Sequence, residues 1–281
     1  VASEAVELLP ENVGWVFSTH STTIIKWSVM PDALKSSDPS ERFRHWYHVD
    51  VPHDQGQYRD GVLPWAVENY FEDLVLSLGA GDWEEAARLA GKISHYIADA
   101  SQPLHSTADY NPGGKHVSFE SEVDMRLDEL DIEVPGYGPN EVDVFGSTME
   151  LLRESFKAVG AVKDELLYGH SPWSPLLKEV SEKRLAHAIE LTADLWYTAV
   201  LRARAADELV AAPSLTSPKD GAVISEGSPA FTWSLVLDLS PPVVYQLLVD
   251  NDPGFSSPEI SEDVAENEYV ATVELEDGTY Y

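Results

Sequence analysis

Up to about residue 208, apolar residues recur at three- and four-residue spacing, the pattern of helices that bury one face. Segment 64–79, PWAVENYFEDLVLSLG, opens on Pro and closes on Gly, which suit the first turn and the end of a helix. After GDW, the run EEAARLAGKISHYIADA predicts a second helix. Residues 117–130 predict a third, about 141–167 a fourth, and EVSEKRLAHAIELTADLWYTAVLRARA a long last one. The expected fold of this part is an all-α helical bundle. At AAPSLTSPKDGAVISEGSP, Pro, Ser and Gly cluster and the helical period stops. Beyond it FTWSLVL, VVYQLLVD and YVATVEL alternate in polarity and predict short strands of a small all-β sandwich-like domain. The DNDPG run at 250–254 lacks the spacing of a calcium loop and predicts a polar turn.

Composition narrows the chemistry. The 281-residue chain has no cysteine, so a metal would have to be held by His, Asp, Glu, backbone atoms and water. Its 49 acids against 18 bases give a formal charge of −31, which argues against a general electrostatic grip on nucleic acid or anionic membranes. Lys219 is the only base after Arg204, so the β module is not expected to bind phosphate-rich surfaces by charge. A surface so acidic also suits a protein kept soluble at high salt. No run of eighteen or more apolar residues spans a membrane, and VASEAVELLPENVGW lacks the basic start and apolar core of a signal peptide. The expected location is secreted or at the cell surface, with any leader removed from this chain.

The residues that carry chemistry lie in HYIADASQPLH, 95–105, and HVSFE, 116–120. His95 and Asp99 are four apart, as are His116 and Glu120, and side chains at that spacing share a helix face within reach of one metal ion. Pro103 breaks the helix and turns His105 toward the second pair. One such pair is usually a surface histidine touching an acid, but two pairs plus a spare histidine suggest more than one metal. Imidazole and carboxylate donors suit Zn²⁺, and a set of only three protein ligands suits an open, catalytic site. Further toward the N-terminus stand Trp15, His20, Asp32 and His48.

In that order these residues resemble the zinc-dependent phospholipase C family, whose fold is shared with single-strand-specific zinc nucleases. The resemblance runs from residue 15 to about 200, so the catalytic domain is expected over 15–208, after an extension or propeptide at 1–14. It implies three zinc ions: one held by Asp32, His48, His95 and Asp99, a second by His105, His116 and Glu120, and a third by Trp15 backbone atoms, His20 and Asp99. His48 is preferred to His45 because the family motif reads H-x-V-D. In the family the Trp is the first residue and its α-amine is a ligand, whereas fourteen residues precede Trp15 here, so two zincs are expected if that amine is not freed. His45, His53, His170 and His187 are expected to be surface or core histidines. Asp50 is a candidate partner that orients an imidazole, or else a surface acid.

The resemblance implies phosphodiester hydrolysis by a zinc-bound water, with Asp32 as ligand and candidate general base. Glu120 as last ligand and the short connection from His105 to His116 favour phospholipid over nucleic acid as substrate, with transient contact to a membrane surface. The nuclease reading keeps Tyr47, Tyr96, Tyr110 and Phe119, aromatics near the ligands on which bases could stack. A third reading is a non-catalytic surface or adhesion protein with structural zinc. A monomer is expected. The β segment, 209–281, with its P-x-F-x-W, YQLLVD and L-x-D-G-T-Y-Y, resembles a fibronectin type III or immunoglobulin-like module. Such modules usually need about a hundred residues, so this one is expected to be truncated.

Overall fold

The computed structural model describes residues 1–52, 58–169, 173–207, 213–225, 227–234 and 244–281. The chain divides into two compact units, Val1–Ala205 and Ala206–Tyr281. The first is helical: α1 (Ala2–Glu7), α2 (Glu11–Thr19), α3 (Ser21–Trp27), α4 (Met30–Leu34), α5 (Leu63–Ala80), α6 (Trp83–Ser101), α7 (His116–Met125), α8 (Val144–Lys157), α9 (Val159–Tyr168) and α10 (Pro175–Asp207).

Helix α6 is the spine of this unit, and its ends follow from local chemistry. Asp82 caps it by accepting the Glu85 backbone N–H at 3.1 Å. It stops at Gln102, whose extended backbone precedes Pro103, as the ring of a following proline requires. Between these limits Leu89, Ile93 and Ile97 are fully buried, each stabilising the fold by about 1.5–3 kcal/mol. Gly91 lets α3 come close: a Cβ there would stand 2.5 Å from the Ile24 carbonyl oxygen and 2.8 Å from Trp27 Cβ. Helix α5 ends at Gly81, whose φ of 66° is the left-handed conformation glycine adopts without cost.

Three expectations change. The single helix over 141–167 is two, α8 and α9, meeting at Ala158. The third helix ends at Met125, followed by a short 3₁₀ turn, Leu127–Glu129. Residues 1–14, expected as an extension or propeptide, pack on the bundle rather than standing free of it. Ala2, Ala5, Leu9 and Val13 are buried, and α1 packs on α2, α3 and α6.

The second unit holds β1 (Leu215–Ser217), β2 (Ala230–Trp233), β3 (Tyr245–Val249), β4 (Ile260–Val264) and β5 (Glu268–Val270). One antiparallel sheet has the order β1-β2-β5 and the other pairs β3 with β4. Phe231 and Trp233 of the first sheet share one core with Tyr245, Val249, Ile260 and Val264 of the second. Strand β4 has no counterpart among the expected strands, because its ISEDV sequence buries only its two ends. The 250–254 run is a polar turn: Asp250 accepts the backbone N–H groups of Asp252 and Ser257, each at 2.9 Å.

Candidate metal centre

Among the described residues, two clusters of metal-type donors lie on the helical unit: Asp32, His45 and His95, and His105, His116 and Glu120. The second assembles around the end of α6. The Gln102 side chain accepts the Leu104 N–H, shaping the turn that brings His105 back, and its amide donates to Glu120 Oε1 at 3.2 Å. His105 Nε2 lies 3.2 Å from His116 Nε2 and 3.1 Å from Glu120 Oε1, and His116 Nε2 lies 3.0 Å from the same oxygen. Ligand atoms around a tetrahedral zinc, each about 2.0–2.1 Å from the ion, stand roughly 3.3 Å apart. The donor spacing therefore fits that ion to within a few tenths of an ångström, with one coordination position open.

The first cluster draws on separate elements. Asp32 comes from α4, His45 from the end of a 3₁₀ turn, Glu41–His45, and His95 from α6. His45 Nδ1 is 3.1 Å from His95 Nε2 and 3.7 Å from Asp32 Oδ1. Asp99 joins this group, its Oδ2 lying 2.7 Å from His45 Nδ1 and 3.2 Å from His95 Nε2. Its other oxygen is 3.2 Å from His105 Nδ1. Asp99 thus links the clusters, facing the first directly and the second through the outer nitrogen of a histidine.

Electrostatics show what these sites call for. Burial opposes protonation of His105, but Asp99 and Glu120 outweigh it and push the imidazole up to about 10. Burial likewise works against charge on Asp99, yet His95 and His105 hold it well below the usual carboxylate range. Glu120 is held low against burial by hydrogen bonds from His105 and His116. The carboxylates favour positive charge in these pockets, which a divalent cation supplies in place of protons.

Of the expected ligands, Asp32, His95, Asp99, His105, His116 and Glu120 are brought together. His48 is not. Trp46 leaves the 3₁₀ turn in extended conformation, and backbone bonds from Tyr47 N to His105 O and from Val49 N to Ser106 O fix the segment beside the His105 turn. His48 consequently lies with the Trp46 ring, its Nδ1 3.7 Å from Asp60 Oδ1, and His45 takes the position beside His95. His48 is followed directly by Val49 and Asp50, so the H-x-V-D pattern does not fit it, and it stands apart from the donors. The signal for His45 is the Glu41–His45 turn and its burial, and that is a tertiary property.

Trp15 and His20 are also absent from the centre. Trp15 sits inside α2 with its ring against Trp83, and His20 caps α3 with its Nδ1 donating to the Val16 carbonyl at 3.0 Å. Helix α3 runs alongside α6, from Thr23 on Glu84 at its start to Ser28 on His95 at its end. Trp83 and Glu84 precede His95 by eleven or more residues, about 16 Å of helix. Trp15 therefore lies about three turns of α6 from His95, and His20 bonds within its own segment rather than to the donors.

Asp50 accepts from the Thr107 hydroxyl at 2.6 Å and from the Ala108 backbone N–H at 2.9 Å. His187 pairs with Arg184 at 2.7 Å, while His53 and His170 lie outside the described residues. A cavity of about 380 Å³ opens beside the centre, lined by His95, Gln102 and Glu120 with Phe119, Val123 and Leu127 among its apolar walls.

Two solved structures share the fold. The alpha-toxin of Clostridium perfringens from an avian strain is 15% identical, with a TM-score of 0.57, over 82% of this chain and 66% of the toxin. The alpha toxin from Clostridium absonum is 17% identical, with a TM-score of 0.58, over 100% of this chain and 82% of the toxin. The chain thus spans slightly less than two thirds of the first toxin's length. No curated protein sequence matches it. The family model for zinc dependent phospholipase C matches residues 1–202, which takes in both donor clusters and the α6 spine between them, and the chain belongs to that family of hydrolases.

Proposed function

We propose that the protein is a phospholipase C that hydrolyses phospholipids to diacylglycerol and a phosphorylated headgroup. Two zinc ions serve the described donors, one at Asp32, His45, His95 and Asp99 and one at His105, His116 and Glu120. The observation that carries the reading is the spacing of 3.0–3.2 Å among the His105, His116 and Glu120 donor atoms beside a cavity with apolar walls. Zinc, when bound, supplies a Lewis acid that activates water and neutralises phosphoryl oxygens.

The chain's own residues do the rest. Asp32, with its side chain 61% exposed, offers a carboxylate at the solvent side of the first cluster, where a general base can take a proton from attacking water. Asp99 ties the two clusters into one rigid frame. The apolar walls at Phe119, Val123 and Leu127 suit the glycerol and first acyl carbons of a lipid and exclude water from them. The nuclease reading is weaker. Of the four aromatics that could stack on bases, Tyr96 is fully buried, Phe119 shows only 3% of its surface, at the cavity wall, and Tyr110 alone is exposed beside a ligand. The β unit, with sheets β1-β2-β5 and β3-β4 over one core, supports a fibronectin type III or immunoglobulin-like reading. We infer a protein that works outside the cell as a monomer, in passing contact with lipid surfaces.

The test is zinc-loaded protein offered phosphatidylcholine, other phospholipids and single-stranded DNA, with a chelator and His95→Ala as controls. Diacylglycerol release that disappears with chelator is the expected result. Cleavage of DNA without lipid would overturn the substrate, and activity indifferent to chelator would overturn the metal.

A further inference from the structure

The four imidazoles of the two clusters do not face their sites in the same way. His95 turns Nδ1 to the Ser28 carbonyl at 2.9 Å, His105 to the His45 carbonyl at 2.7 Å and His116 to the Tyr110 carbonyl at 2.7 Å. Each thereby fixes its proton on Nδ1 and leaves Nε2 for its cluster. His45 is reversed: Nδ1 faces the cluster, and Nε2 is buried with no hydrogen-bond partner among the described residues. An imidazole whose Nδ1 lone pair is given to a metal carries its proton on Nε2, and a buried N–H left without an acceptor is costly.

That nitrogen faces Glu41. Glu41 Oε1 is 3.8 Å from His45 Nε2, and the residue, 1% exposed, opens the same 3₁₀ turn that His45 closes. The Glu41 carboxylate accepts from the Tyr96 hydroxyl and from Arg44, which leaves lone-pair capacity for a third donor. A distance of 3.8 Å is longer than a hydrogen bond, so Glu41 is set near the imidazole without being bonded to it. Its pairing with Tyr96 and Arg44 would by itself account for a buried acid. It does not account for a partnerless Nε2 on the one histidine that lacks a backbone carbonyl.

We propose that Glu41 is the positioning residue of the first cluster: it accepts the His45 Nε2 proton and so holds Nδ1 as the metal-binding atom. The proposal rests on the two-zinc reading above. Carboxylates in this role typically account for ten- to a hundredfold in metal affinity.

Zinc affinity, measured by competition with a chromophoric chelator, tests this together with the visible spectrum of the cobalt-substituted protein. Glu41→Leu should weaken one of the two ions ten- to a hundredfold and leave the other unchanged. Glu41→Gln, which keeps a neutral acceptor, should lose less. Added to His45→Ala, Glu41→Leu should cost nothing further at that ion, because the two residues act as one unit. Wild-type affinity for both ions in Glu41→Leu, or an additive loss in the double variant, would overturn the role of Glu41. A wild-type chain that binds no zinc would instead overturn the metal reading beneath it. If the Glu41 variants do not fold, nitrogen-resolved NMR of zinc-loaded wild type decides: the His45 proton should sit on Nε2, and a proton on Nδ1 would refute the proposal.

Discussion

The two donor clusters are neighbours joined through Asp99, yet they are built in opposite ways. His105, His116 and Glu120 come from one stretch that turns at Pro103 and re-enters a helix at His116. Asp32, His45 and His95 come from α4, a 3₁₀ turn and the middle of α6, and they meet only because α3 and the turn pack against α6. Local chain geometry therefore sets the spacing of one cluster, while the packing of distant segments sets the other. Damage to packing should reach the first cluster before the second.

The largest effect that can break this comparison is at the two neighbouring histidines. His45→Ala should lower phospholipid hydrolysis, measured as kcat/KM, by at least about a hundredfold, beyond what loss of an outer partner costs. His48→Ala, beside Trp46 and Asp60, should stay within a few-fold of wild type. The opposite ranking would refute the composition of the first cluster.

A smaller effect separates the clusters by packing alone. Gly91→Ala forces a methyl against the Ile24 carbonyl at 2.5 Å and parts α3 from α6, costing about 1–3 kcal/mol. Since Ser28 at the end of α3 holds His95, one zinc should be bound more weakly while the other is retained. Gly160→Ala, where an added Cβ meets nothing within 4 Å, should be neutral or slightly stabilising. Equal stability of the two variants in urea titrations would show that the close approach does not control the first cluster.

A third effect is one of pH. In metal-free protein His105 is raised to about 10, so its contribution is full below the unfolded value near 6.5 and is lost as pH rises through 10. His95, raised against burial chiefly by Asp99, acts in the same direction. His45 is lowered by burial and works the other way, but only below about pH 6.5. Thermal unfolding without metal should therefore show stability falling between pH 7 and 10. Zinc affinity should rise over the lower part of that range, since the ion displaces protons. Flat stability across the range would mean that Asp99 and Glu120 do not hold these protons.

Much of the helical unit is legible in its residues alone. The helices expected over 64–79 and 84–100 appear as Leu63–Ala80 and Trp83–Ser101, because their ends are marked by Pro, Asp and Gly and their apolar spacing is regular. The strand in VVYQLLVD appears as Tyr245–Val249, since its alternation matches a sheet with one buried face. Strand β4 is illegible because its middle three residues are solvated and carry no apolar signal. The break at Ala158 is illegible too: the apolar period runs on through a residue that is itself a good helix former.

The sequence by itself determined the helix-then-strand order, the donor chemistry without cysteine, and the His105 cluster, because spacing of four on a helix and a proline turn are properties of the local backbone. Only the tertiary structure decided that His45 rather than His48 stands beside His95, that the Trp15 ring packs on Trp83 about three turns of α6 away, and that α1 packs on the bundle. Those outcomes depend on which buried face meets which, and the side chains of a lone segment cannot encode that.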